Sequence, residues 1–270
     1  METTNTSSRT QIVATLGPAS EKPETLRAMI AAGMDVARLN LAWGPEEEHR
    51  RFIRDVRAMA EEVGKKVPIL CDLAGPRVQE GGEHHFGEKA GSIITVKDRA
   101  DVAVGVSASV EYFALSYVGG AADIEELRQI LKDTGSTARI IAKIERPEAV
   151  EHIEGIIRAA DGIMVARGDL GNALPFEQVP FVQHRLTILA RALGKPVIVA
   201  TEMMTSMIEG DRPSRADVTD VAFAVVTGAD AVMLSNETTA GKDPVAVIAA
   251  MEKIVSEAEK HSVPFGHRAL

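Results

Sequence analysis

Two short stretches of the 270-residue chain hold the side chains best suited to chemistry. Ile140–Arg146 is an apolar run that ends in Lys143 and Glu145, and Gly162–Gly171 is another that ends in Arg167, Gly168 and Asp169. Near-continuous apolar runs are the mark of buried parallel strands, and charge gathered at their carboxyl ends is where α/β enzymes keep their active groups. One ammonium and two carboxylates at two such ends suit a divalent cation held by hard oxygen ligands. The lysine beside them would stabilise negative charge developing on a substrate.

Eight apolar runs recur along the chain to position these groups: Gln11–Thr15, Val36–Leu41, Pro68–Leu73, Tyr112–Tyr117, Arg139–Glu145, Gly162–Arg167, Pro196–Thr201 and Ala231–Asn236. Amphipathic segments of helical period lie between them, such as Pro45–Gly64 with its stripe of Phe52, Ile53, Val56, Met59, Ala60 and Val63. Eightfold strand–helix alternation predicts an α/β fold of the (β/α)8 TIM-barrel type, with a doubly wound open sheet as the alternative. The expected layout is a disordered tail over 1–9, one barrel over 10–260 and a tail over 261–270. The segment Val78–Lys97 reads as a Gly-rich loop leaving a strand's carboxyl end, either a lid or a surface loop, and it carries His84 and His85. A short helix is expected over Asp98–Ser107.

Composition narrows the partners. A formal charge of −9 argues against nucleic acid and against an anionic membrane surface. The only cysteine, Cys71, lies inside an apolar run and reads as a core residue in a reducing compartment. Met1–Arg9 is polar and lacks the apolar core of a signal peptide, so a cytoplasmic protein is expected.

Eight ordered motifs resemble the pyruvate kinase family: Ile12–Pro18, Ala37–Asn40, Asp72 with Gly75-Pro76, Ala142–Glu145, Met164–Gly171, Ala200-Thr201, Arg212-Pro213 and Met233–Ser235. The resemblance runs from Thr10 to about Ala258 and implies that family's catalytic barrel. It implies a phosphoenolpyruvate/pyruvate site with Glu145 and Asp169 as ligands to Mg2+ or Mn2+, and Lys143, Arg38 and Thr201 as catalytic groups. Gly168, Asp169, Thr201, Arg38, Asn40 and Asp72 would bind substrate, and Trp43, Arg77 and Ser235 would line the pocket. The family's lid domain and carboxyl-terminal domain have no counterpart, so a bare barrel without an effector site is expected; family barrels pair, so a homo-oligomer is expected too.

The departures from the family pattern cluster. Ala42-Trp43 stands for Ser-His, Leu73–Gln79 lacks the family's threonine, lysine, glutamate and arginine, and Ala240 stands for a nucleotide-side lysine, with Lys242 nearby. Arg77 would put fixed positive charge where potassium sits in the family, so potassium is not expected. The sequence thus keeps the metal and carboxylate half of the site and erodes the nucleotide half. On that ground the expected function is a nucleotide-independent carbon–carbon lyase, an aldolase or oxo-acid decarboxylase acting through a metal-bound enolate on pyruvate or oxaloacetate. The alternatives are a minimal pyruvate kinase transferring phosphate from phosphoenolpyruvate to ADP, and a non-catalytic protein that binds 2-oxo acids.

Overall fold

The computed structural model describes residues 8–80, 83–87 and 91–262. Eight parallel strands close into a barrel: β1 (Gln11–Thr15), β2 (Val36–Asn40), β3 (Ile69–Asp72), β6 (Tyr112–Leu115), β7 (Arg139–Ile144), β8 (Gly162–Ala166), β9 (Val197–Ala200) and β10 (Ala231–Leu234), with β10 pairing back onto β1. The eightfold alternation in the sequence is therefore a closed barrel and not an open sheet. The remaining strands, β4 (Arg77–Glu80) and β5 (Glu83–Phe86), form an antiparallel hairpin after β3. Part of the segment expected as a Gly-rich loop is thus a hairpin, and the next helix, α3 (Val96–Ser107), starts two residues before its expected first residue because Thr95 caps it.

The other helices are α1 (Pro23–Ala32), α2 (Glu46–Val63), α4 (Ala121–Asp133), α5 (Pro147–Glu151), α6 (Ile153–Ala159), α7 (Arg167–Ala173), α8 (Val179–Ala192), α9 (Arg215–Val226), α10 (Asn236–Thr239) and α11 (Pro244–His261). Their limits follow from local chemistry. In α2 an extended Pro45 precedes three glutamates in the first turn, where the positive end of the helix dipole favours them, and Gly64 closes the helix in the left-handed region. Phe52, Ile53, Val56 and Ala60 form its buried face.

Alternation along the strands builds two cores. Val13, Val36, Leu70, Tyr112, Ala114, Ile141, Met164, Ile198, Ala200, Ala231 and Met233 fill the barrel interior. The intervening residues, such as Ile12, Ala37, Cys71 and Ala142, face the helices. Cys71 is buried, and burial foremost pushes its thiol up to about 12, so it is the core residue expected and no nucleophile.

Ser8, Arg9 and His261 were expected in tails, but each belongs to the packed fold. Ser8 and Arg9 are tied to the last helix, Ser8 N–H donating to Glu252 Oε1 at 2.7 Å and Arg9 N–H to Glu259 Oε1 at 2.8 Å. Helix α11 runs on to His261. Residues 1–7 and 263–270 lie outside the described residues, as do Gly81, Gly82 and 88–90 and the side chains of His84 and His85.

Candidate active site at the carboxyl ends of the barrel strands

The interior positions of the strands continue upward as polar residues. Two residues beyond Val36 comes Arg38, beyond Leu70 comes Asp72, beyond Ala114 comes Ser116, and beyond Ile141 comes Lys143. Period-two geometry therefore aims all four at the barrel axis. They form one chain of contacts. Arg38 donates from Nη1 to Thr15 Oγ1 at 2.9 Å and from Nε to Asp72 Oδ2 at 2.7 Å. Lys143 Nζ lies 3.1 Å from Asp72 Oδ1, donates to Ser116 Oγ at 2.7 Å and pairs with Glu145 Oε1 at 2.8 Å. The second carboxylate oxygen of Glu145 accepts Tyr117 N–H at 2.6 Å.

All these charges are buried, so their protonation is set by one another. Burial would raise the Asp72 carboxyl, but Lys143 and Arg38 on either side hold it below its ordinary value. Burial would lower the Lys143 ammonium, but Asp72 and Glu145 reverse that and raise it, so it stays charged. Glu145 goes the other way. Burial raises its carboxyl, and the charge of nearby Asp169 adds to the shift against the pull of Lys143.

Glu145 and Asp169 stand just beyond the ends of adjacent strands β7 and β8. Their mutual repulsion is the condition a divalent cation relieves, and two hard carboxylates suit Mg2+ or Mn2+. No cluster of three or more His, Cys, Asp or Glu among the described residues can cage a metal unaided. The fit is of the kind in which an ion takes most of its shell from water and substrate. Neither Arg146 nor Arg167 pairs with Glu145: Arg146 packs over the Phe86 ring at 4.2 Å, and Arg167 reaches Asp220 at 2.6 Å.

Thr201 follows β9 with φ of +70°, and Glu202 follows it at +55°. Two consecutive non-glycine residues in the left-handed region are strained, at about 1–3 kcal/mol each. Arg167 braces the turn through Nε bonds to Ala200 O at 3.3 Å and Thr201 O at 3.2 Å. Gly168 N–H donates to Thr201 Oγ1 at 2.8 Å, and Thr201 Oγ1 donates to Ala200 O at 2.6 Å. Two of the residues expected to bind substrate, Gly168 and Thr201, are therefore bonded to each other.

These residues line a cleft of about 580 Å³, which takes in every expected site residue. A smaller pocket of about 220 Å³ shares Arg38, Asn40, Trp43 and Ser235 with it and extends past Pro18, Glu48, His49 and Phe52. Trp43 is 53% exposed between the two, with Arg77 Cζ 5.8 Å from its ring. Lys242 lines neither; it is paired with Asp211 at 2.7 Å on the surface and does not replace the lysine lost at Ala240.

Several members of the site were not picked out from the sequence. Ser116 and Thr15 complete the polar network, and Asn172 and Glu202 line the cleft. Glu237 also lines it, accepting Met204 N–H at 3.0 Å and Ser235 N–H at 2.7 Å. The signal for Thr15 and Ser116 was present in their inward register on strands already identified.

A family model described as the pyruvate kinase barrel domain matches residues 7–95 and 89–248. A pyruvate kinase of Mycobacterium tuberculosis is 34% identical over 334 residues, taking in 94% of this chain and 71% of the relative. That alignment is longer than this chain, so the relative carries residues with no counterpart here. A pyruvate kinase of Mycobacterium intracellulare is 37% identical, covering 95% of this chain and 71% of its own length. One from Geobacillus stearothermophilus is 35% identical over 93% of this chain and 57% of its own.

Proposed function

Since the chain belongs to the pyruvate kinase family, we propose that it is a phosphotransferase passing the phosphoryl group of phosphoenolpyruvate to a nucleoside diphosphate, with pyruvate enolate formed at the barrel mouth. The observation that carries this reading is the buried relay Arg38–Asp72–Lys143–Glu145, which fixes two cations at the strand ends beside two carboxylates. Phosphoryl transfer asks little of a protein besides position and neutralising charge. Lys143 would face the bridging oxygen of the substrate and stabilise the enolate as the P–O bond breaks, while Arg38 would face the phosphoryl oxygens. Glu145 and Asp169 would hold the divalent ion, which supplies Lewis-acid stabilisation when bound. Thr201 Oγ1, held by Gly168 N–H, would orient the substrate carboxylate and lie on the path of the proton that converts enolate to pyruvate.

A second reading has its own support. Among the described residues, the 220 Å³ pocket beside the cleft offers no cation besides Arg38, which is already bound to Asp72, and it carries Glu48. That lining is poor for a diphosphate. It favours an enzyme that makes the same enolate by breaking a carbon–carbon bond in a 2-oxo acid such as oxaloacetate, without a nucleotide. One assay separates the two. Purified protein with Mg2+ or Mn2+ is given phosphoenolpyruvate with and without ADP, and oxaloacetate alone. Pyruvate release that depends on ADP is the expected result. Metal-dependent release from oxaloacetate, with none from phosphoenolpyruvate at any ADP concentration, would replace the first reading by the second.

A further inference from the structure

One side chain of the cleft is not accounted for by the relay. Arg77 lines the 580 Å³ cleft, and its Nε and Nη1 are buried with no hydrogen-bond partner among the described residues. A guanidinium presents a fixed fork of N–H donors, and leaving buried donors unmatched is costly. Its surroundings account for part of the group only. One side faces the Trp43 ring at 5.8 Å, and the group also reaches Tyr117.

The backbone that delivers Arg77 is constrained from below. Gly75 sits at φ of +64°, and a Cβ there would come within 2.9 Å of the Tyr117 ring, so the chain makes a turn only glycine allows without strain. Gly75 N–H donates to Asp98 Oδ1 at 3.2 Å, and Asp98 is fully buried in the first turn of α3. The neighbouring Lys97 Nζ donates to Leu41 O at 2.6 Å, two residues before Trp43. The first turn of α3 thus holds both loops, and Arg77 and Trp43 meet across the gap as an arch on the side of the cleft contributed by β2 and β3. A flexible surface arginine would need no such mounting.

We infer that Arg77 is a specificity-determining residue that binds a second anionic group of the substrate, so the cleft selects a 2-oxo acid or its enol carrying an oxyanion besides the carboxylate. This rests on the reading that the cleft holds such an acid. Two sources share that chemistry: a phosphoryl group, as in phosphoenolpyruvate, and a second carboxylate, as in oxaloacetate. Lys97 and Asp98 act through the arch as positioning residues.

Trp43 is the chain's only tryptophan and lies against Arg77, so its fluorescence reads occupancy of this subsite without turnover. The test titrates the whole protein, with Mg2+ present, by stopped-flow: pyruvate as the single-anion reference, phosphoenolpyruvate as the phosphate arm, and oxaloacetate as the carboxylate arm. A charged hydrogen-bond pair predicts that at least one arm binds about tenfold or more tighter than pyruvate. Arg77→Gln should cut that advantage by about tenfold, leaving only what Arg38 and Lys143 provide, and keep pyruvate binding within about twofold; Arg77→Lys should restore part of it, a lysine keeping the charge but not the fork. Whichever arm loses its advantage identifies the source. An advantage that is undiminished in folded Arg77→Gln, or no advantage in the wild type, overturns the inference. If binding follows the expected pattern while no substrate is turned over, the inference stands and the proposed reaction fails.

Discussion

Asp72 is the residue on which the site's charges balance. It is 1% exposed and faces Arg38 at 2.7 Å and Lys143 at 3.1 Å, so Asp72→Asn would leave two buried cations short of their partner. The expected loss is about 3–5 kcal/mol of stability at neutral pH, read by urea unfolding. The pH dependence has a definite sign. A carboxyl held below its ordinary 3.8 stabilises the fold above that value and loses the contribution as pH falls through its folded value. The gap between wild type and variant should therefore be constant near neutrality and begin to close only below pH 3.8. Glu145 behaves oppositely: burial and Asp169 raise its carboxyl above 4.5, so a proton competes with a metal at higher pH than for an ordinary glutamate. Calorimetric Mn2+ affinity should decline on acidification before an exposed carboxylate pair would, and Glu145→Gln or Asp169→Asn should abolish it. Unchanged metal binding in both variants would disprove the ligand assignment.

Among the elements, the strands carry the buried charge relay, and the first turn of α3 holds the loops that bear Trp43 and Arg77. Lys97→Met should leave the relay at Asp72 intact while releasing Leu41 O and Asp101 Oδ2. The expected result is a rise in KM of about five- to twentyfold with kcat changed less and stability lowered by about 1–2 kcal/mol, the scale of two charged contacts from a half-exposed lysine. An equal fall in kcat at constant KM would place Lys97 in the chemistry instead. The strands were legible because Val, Ile and Ala runs carry their own signature, and each expected run contains the observed strand. The runs overshot at Leu41, Leu73, Glu145 and Thr201, which follow the last residues of their strands. The hairpin was not legible as such. Its pairing Glu80↔Glu83 leaves only Gly81-Gly82 between, a two-residue turn signal that the surrounding charge obscured. The residues expected to hold a metal and a substrate carboxylate were named through family motifs, whereas the bond from Gly168 to Thr201 and the mounting of Arg77 depend on three-dimensional contact and have no local pattern.

At the scale of the whole molecule, a bound ligand should stabilise the barrel by mass action. Mg2+ or Mn2+ with oxalate, a planar mimic of pyruvate enolate, should raise Tm as ligand concentration rises, the added stability being about 2.7 kcal/mol at one hundred times Kd. Asp169→Asn should show no such rise. No helix among the described residues is long and apolar enough to cross a membrane.

The polar mouth draws on every strand of the barrel: Thr15 closes β1, Arg38 lies in β2, Asp72 ends β3, Ser116 follows β6, Lys143 lies in β7, and Gly168, Thr201 and Ser235 follow β8, β9 and β10. A ring assembled this way has no half that works alone. Chain fragments bearing four strands should be inert, and complementation should restore turnover only when the ring closes. In a denaturant titration the loss of turnover should coincide with or precede the loss of circular dichroism, with no active species persisting after the barrel opens.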